Sequence, residues 1–229
     1  MPNELVETGN PFHNFIRRVS LVDRYNITAF RWDVLVRKMK AVAFNCSPRK
    51  DGNTAGLIRV ALEIIEKEGI ATELVQVGGE KVRGCQACGV CREKKNGRCK
   101  YDDDIINECI AKICESDAVI IGSPTYFGDL STEAKALVDR AGYVSRSNGG
   151  MFSRKVGAGI AVNRRAGAMH TLDSINHFFT INDMVLVGST YWNIGVANAA
   201  GDYRRDEEGM RTIKRLGENI TWLLKKIGE

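Results

Sequence analysis

Ala41-Val-Ala-Phe44, an uncharged apolar run, is followed at once by the turn Cys46-Ser-Pro-Arg-Lys-Asp-Gly-Asn-Thr54 and then by apolar residues at helical spacing. The run reads as a short buried strand, and Gly52-Asn-Thr54 opens a helix with Leu57, Ile58, Ala61, Leu62, Ile64 and Ile65 on one face. Gly69 stops that helix. The turn between them has the chemistry of an anion cradle. Ser47, Asn53 and Thr54 supply side-chain donors, Arg49 and Lys50 supply positive charge, and Gly52 lets the backbone come close. The free N–H groups and dipole of the following helix favour a dianion. The spacing is neither that of a Walker A loop nor G-x-G-x-x-G, since the turn has a single glycine. One terminal phosphate therefore fits better than a dinucleotide pyrophosphate. On turn chemistry alone, an ordinary capped strand–helix turn fits as well.

Working outward, the same alternation repeats. Strands are expected over 72–77, 118–122, 156–162 and 184–187, with Ala118-Val-Ile-Ile-Gly122 apolar on both faces as a central parallel strand requires. Helices are expected after Asp102, Asp103 or Asp104 as cap, over 130–143 with Ser131 as N-cap, around 169–179, and over 209–227. Five strands alternating with helices predict a doubly wound α/β fold. Residues 1–38 lack a sustained period and read as an N-terminal arm ahead of one domain over 39–229.

Composition sets outer bounds. The 229 residues are 44% hydrophobic and 27% charged, ordinary for a globular protein and wrong for a disordered or fibrous one. No uncharged apolar run approaches the ~18–20 residues of a membrane span. The opening residues lack the basic and apolar regions of a secretory signal, so a cytoplasmic protein is expected. Lysine and arginine number 33 against 28 acids. The stretch 81–100 alone carries seven basic residues and one acid, which leaves the rest near neutrality and argues against a general nucleic-acid binder.

That basic loop, 84–100, also holds Cys85, Cys88, Cys91 and Cys99, spaced C-x2-C-x2-C-x7-C. Three thiols two residues apart suit corners of one compact cluster, and ferredoxin-type [4Fe–4S] sites share those first spacings. Structural zinc sites usually come as two separated C-x2-C pairs. Zinc and an unmetallated loop remain the alternatives on spacing alone. A [4Fe–4S]2+ core with four thiolates carries a net −2, which the surrounding cations can offset. Cys46, Cys109 and Cys114 read as small core hydrophobes. His170 and His177 share a helix face and are read as structural.

Ser47-Pro-Arg-Lys-Asp-Gly-Asn-Thr54, Gly122-Ser-Pro-Thr-Tyr-Phe-Gly128 and Ala134-Lys-Ala-Leu-Val-Asp-Arg140 together resemble the NADPH-dependent FMN reductase branch of the flavodoxin-like superfamily. Within it, the cysteine loop resembles the iron–sulfur flavoproteins. The resemblance runs from Met39 to the C-terminus and includes Asp206-Glu-Glu-Gly-Met210. It implies a flavodoxin-like five-stranded parallel sheet of order 2-1-3-4-5 with the cysteine loop after the second strand. It implies FMN, with its phosphate at Ser47, Arg49, Gly52, Asn53 and Thr54. The isoalloxazine would lie against Pro124, Thr125, Tyr126, Phe127 and Gly128, under a loop that includes Asn163 and Gly167. It also implies a homodimer or homotetramer. Ligands of such sheets bind outside the carboxyl ends of the strands, at the switch point where the two strongest motifs fall.

The function expected is electron transfer between FMN and a [4Fe–4S] cluster. The alternative is an NAD(P)H-dependent FMN or quinone reductase without a cluster. A flavin-binding regulatory module is a third class, with no sequence feature in its favour. Ferredoxin and NAD(P)H are the candidate donors.

Overall fold

The computed structural model describes residues 38–228. Except for Lys38, the arm expected over 1–38 lies outside the described residues. The chain runs β1 (Lys40–Asn45), α1 (Asn53–Lys67), β2 (Ala71–Gln76), α2 (Val90–Lys94), α3 (Ile106–Glu115), β3 (Ala118–Pro124), α4 (Thr132–Ser147), β4 (Val156–Asn163), α5 (Ala168–Ile181), β5 (Val185–Leu186), β6 (Ile194–Val196) and α6 (Glu207–Gly228).

All strand pairs are parallel, in the order β2-β1-β3-β4-β5. Strand side chains alternate between two cores. Val42 and Phe44 of β1 and Val119 and Ile121 of β3 pack with α3, α4 and α5. Ala41, Ala43, Ala118 and Ile120 pack with α1 and α6 on the opposite face. The result is a flavodoxin-like α/β sheet covered on both sides.

Two elements differ from the sequence expectation. The last edge strand is split: β5 pairs with Val156 and Gly157 of β4, and β6 pairs farther along, with Ala161, Val162 and Asn163. An edge strand has only one neighbour to pair with, so an interruption over 187–193 is tolerated where a central strand would lose two ladders. The other addition is α2, five residues inside the cysteine loop, entered through Gly89 at φ 77°.

Ser131 caps α4 as expected, its Oγ accepting the N–H of Ala134 at 3.2 Å. Before α3 the capping position falls on Ile105, which makes no side-chain cap, so none of the three expected aspartates takes that position. Asp104, one residue earlier, accepts the Ile106 N–H at 3.2 Å.

Candidate functional site

The turn after β1 is braced from below. Asn45 donates its amide to Gln76 Oε1 at 2.6 Å and accepts the Ser47 N–H at 3.2 Å. Gln76 in turn donates to the carbonyl oxygens of Ser47 and Gly78. Neither Asn45 nor Gln76 carries a motif, and sequence reasoning passed over both. Ser47, Asn53 and Thr54 are buried, while Arg49 is exposed. The first N–H groups of α1, at Asn53, Thr54 and Ala55, have no intrahelical acceptor. The Asn53 side chain has a further occupation. It donates to the Ala199 carbonyl and accepts from the N–H groups of Gly201 and Tyr203, tying the turn to the segment 199–203.

Past β3, Tyr126 and Asp129 exchange both backbone hydrogen bonds, at 2.8 and 3.1 Å. Between them Phe127 and Gly128 take φ of 50° and 84°, positive at both centres as in a type I′ turn. The turn projects Phe127 fully into solvent, and Tyr126 is half exposed. That exposure takes the Phe127 ring off the core, while Tyr126 keeps about half its surface covered. Thr125 is anchored from both sides, its N–H on the Val162 carbonyl at 2.7 Å and its Oγ1 accepting from Thr171 at 3.0 Å.

The loop after β4 closes onto this turn. Gly167 has φ 89°, and a Cβ there would stand 3.3 Å from Gly128 Cα and 3.4 Å from Thr125 Cγ2. Asn163 is buried, and its Oδ1 has no hydrogen-bond partner among the described residues. A buried acceptor left unpaired costs about 1–3 kcal/mol, so Asn163 is ready for a donor from a bound group. His170 on α5 approaches Asp129 at 3.6 Å and stays exposed. Loops 47–54, 124–128 and 163–167 thus lie at the carboxyl ends of β1, β3 and β4, with the second and third in contact. Their buried hydroxyls, open helix N–H groups and unpaired amide oxygen fit a flavin mononucleotide.

The cysteine loop lies against the C-terminal half of α4. Cys85, Cys88, Cys91 and Cys99 line one small recess with Tyr101, Arg140, Tyr143 and Val144. Ala87 and Gly89, both at positive φ, curl the chain between the first three thiols. The Ala87 N–H points at Cys85 Sγ from 3.4 Å. Asn107 holds the peptide of Cys99 on both sides, accepting its N–H at 2.8 Å and donating to its carbonyl at 3.1 Å.

Arg140 is fully buried behind the recess, donating Nε–H to Cys99 Sγ at 3.3 Å and Nη2–H to the Tyr101 carbonyl at 2.8 Å. Its Nη1 serves the Arg83 carbonyl and the buried Asp104 carboxylate. Burial pushes the Asp104 carboxyl up. Hydrogen bonds from Arg140, Ile106 and Arg83 outweigh it and hold the group below the ordinary range.

Among the described residues no group of three or more His, Cys, Asp or Glu side chains is arranged to hold a metal ion. Zinc needs all its ligands within about 2.3 Å of one point. A four-iron cluster takes its thiolates at separate corners, and a soft all-sulfur donor set at one recess suits it.

A profile of NADPH-dependent FMN reductases matches residues 39–199. The chain belongs to the NADPH-dependent FMN reductase family. Like other members of that family, it is an FMN-dependent oxidoreductase. Two curated relatives each match over 82% of the chain. An iron–sulfur flavoprotein from Methanocaldococcus jannaschii is 36% identical, over 82% of this chain and 99% of its own. One from Methanosarcina thermophila is 33% identical over 82% and 97%.

Among solved structures, RosB with a bound formylated riboflavin phosphate aligns with a TM-score of 0.64 and 21% identity, over 82% of this chain and 80% of its own. An archaeal flavodoxin aligns at 0.53 and 15%, over 82% and 99%. These two carry the fold. No described helix of this FMN reductase family member is long and apolar enough to cross a membrane.

Proposed function

We propose that the protein passes electrons between FMN and a [4Fe–4S] cluster. Ser47, Arg49, Gly52, Asn53 and Thr54 would hold the flavin phosphate. Pro124, Thr125, Tyr126, Phe127 and Gly128 would meet the ring, with Asn163 and Gly167 beside them. Cys85, Cys88, Cys91 and Cys99 would ligate the cluster. FMN supplies electron-pair chemistry and a cluster supplies single-electron chemistry, so the two together can split or collect a pair. The chain's own part is to bind and orient both groups. No side-chain acid or base is assigned.

The observation that carries this reading is the single recess lined by all four loop thiols. The names of the two curated relatives, matched across almost their whole lengths, support it. The protein would act in the cytoplasm as a homodimer or homotetramer, with ferredoxin or NAD(P)H as donor.

Protein purified without oxygen should show flavin absorbance and broad iron–sulfur absorbance. Iron and acid-labile sulfide should each reach about four per protomer, as a [4Fe–4S] centre requires. Flavin without iron or sulfide would favour an NAD(P)H-dependent FMN or quinone reductase instead.

A further inference from the structure

Resting on the cluster assignment above, we infer that Arg140 sets the reduction potential of that cluster through its hydrogen bond to Cys99 Sγ, with Asp104 as the counterweight. An arginine in the middle of α4 would ordinarily face solvent. This one is buried, and its fork is spent on four partners drawn from both ends of the cysteine loop: Arg83, Cys99, Tyr101 and Asp104. Three of these contacts fix the loop's shape. The Nε–H···Sγ contact at 3.3 Å reaches one of the proposed ligands directly.

Adding an electron to a cluster places more negative charge on its sulfurs. A donor aimed at a ligand sulfur therefore stabilises the reduced form more than the oxidised form, and raises the potential. The cation is not alone. Asp104, itself buried, neutralises the guanidinium at close range, so much of the Coulombic effect cancels and the directed hydrogen bond remains. Opposite consequences follow for the two residues. Removing the donor should make the cluster harder to reduce. Removing the carboxylate charge while keeping the arginine should make it easier.

The test is a potentiometric titration with dithionite, the reduced cluster being followed by electron paramagnetic resonance. It compares the wild-type chain with Arg140→Gln, Arg140→Lys and Asp104→Asn, each assayed for iron and sulfide. Arg140→Gln should lower the ratio of reduced to oxidised cluster about tenfold at a fixed potential, the scale of one hydrogen bond to a charged group. Arg140→Lys keeps the charge and loses the planar fork, and should move the potential the same way. Asp104→Asn should move it the other way.

If Arg140→Gln fails to fold, Arg140→Lys and Asp104→Asn carry the decision. Unchanged potentials in variants with full iron, or shifts of the same sign for Arg140 and Asp104, would overturn the inference while leaving the cluster assignment standing. A wild-type protein devoid of iron and sulfide would overturn both.

Discussion

Asn53, at the mouth of α1, donates its side-chain N–H to the carbonyl of Ala199 at 2.9 Å, across 146 positions of chain. Its Oδ1 accepts from Gly201 and Tyr203 at 3.0 and 3.4 Å. The Tyr203 ring then lies so close to α1 that a Cβ on Gly56 would stand 2.3 Å from it. The amide therefore locks the turn proposed to hold the phosphate to the segment before α6.

That lock separates two residues the sequence treats alike. Thr54→Val removes a hydroxyl with no hydrogen-bond partner among the described residues and should weaken FMN roughly tenfold to a hundredfold, the ~1.5–3 kcal/mol of a charge-assisted hydrogen bond. The melting temperature should stay near that of the parent. Asn53→Leu should lower FMN affinity and the melting temperature together, because three part-buried bonds go at once. Flavin titration of the apoprotein and thermal melts measure both. An Asn53→Leu chain that melts like the parent would remove the lock from the account.

What the sequence made legible follows from range. β1, β3 and β4 are continuous apolar runs with parallel partners on both sides, and burial on two faces is written into each residue. β6 is three residues on an edge, Ile194-Gly-Val196, too short for any period to declare. The Phe127–Gly128 turn is visible as a motif, but its full exposure depends on a backbone exchange between Tyr126 and Asp129. Arg140 is the extreme case. A charge at that helical position reads as solvated, and only Asp104 and the loop carbonyls, brought in from other elements, make its burial tolerable. Local pattern shows elements and motifs. Partners 36 to 146 positions away decide what the polar groups do.

Gly167→Ala tests the contact between the loops after β3 and β4. At φ 89° an alanine is strained by about 1–2 kcal/mol. Its methyl would also press on Gly128 Cα from 3.3 Å. The variant should lose stability by about that amount and bind FMN more weakly, since the turn carrying Phe127 must shift. Denaturant melts of apoprotein isolate the first effect and flavin titration the second. Wild-type affinity in a destabilised variant would uncouple the Gly167 contact from the flavin site.

Six of the seven cysteines should divide into two reactivity classes. Burial holds the Cys46 thiol far above its ordinary pKa and pushes Cys109 up to about 12. Both stay protonated at pH 8, and a neutral buried thiol is inert to alkylation. In native protein freed of iron, iodoacetamide at pH 8 should label Cys85, Cys88, Cys91 and Cys99 and spare Cys46 and Cys109, as read by mass spectrometry of peptides. The linkage has a definite sign. Because the folded thiols resist ionisation, their contribution to stability is complete below the unfolded value near 9. It falls away as pH rises from there toward 12. Equal labelling of all six thiols in folded protein would contradict this.

Charge on the cysteine loop supplies the last prediction. Arg98 is spent on Asp102, through bonds of 2.7 and 2.8 Å. Lys94 and Lys95 are exposed and have no ion-pair partner among the described residues. Lys95 and Arg92 also line a cleft of about 830 Å³ beside α4 and α5, with Tyr143, Arg146 and Phe178. Cations left free beside the proposed cluster suit the docking of an acidic one-electron donor. Such charges act mainly on the association rate, and salt screens them over ~10 Å at 0.1 M. Lys94→Glu with Lys95→Glu should slow reduction by an acidic ferredoxin several-fold at low salt, and the deficit should shrink as salt rises. Reduction by dithionite, small and needing no docking, should be almost unchanged. Equal slowing with both donors would mean that the lysines support the cysteine loop itself. No slowing with either would move the point of electron entry away from this loop, most simply to the flavin.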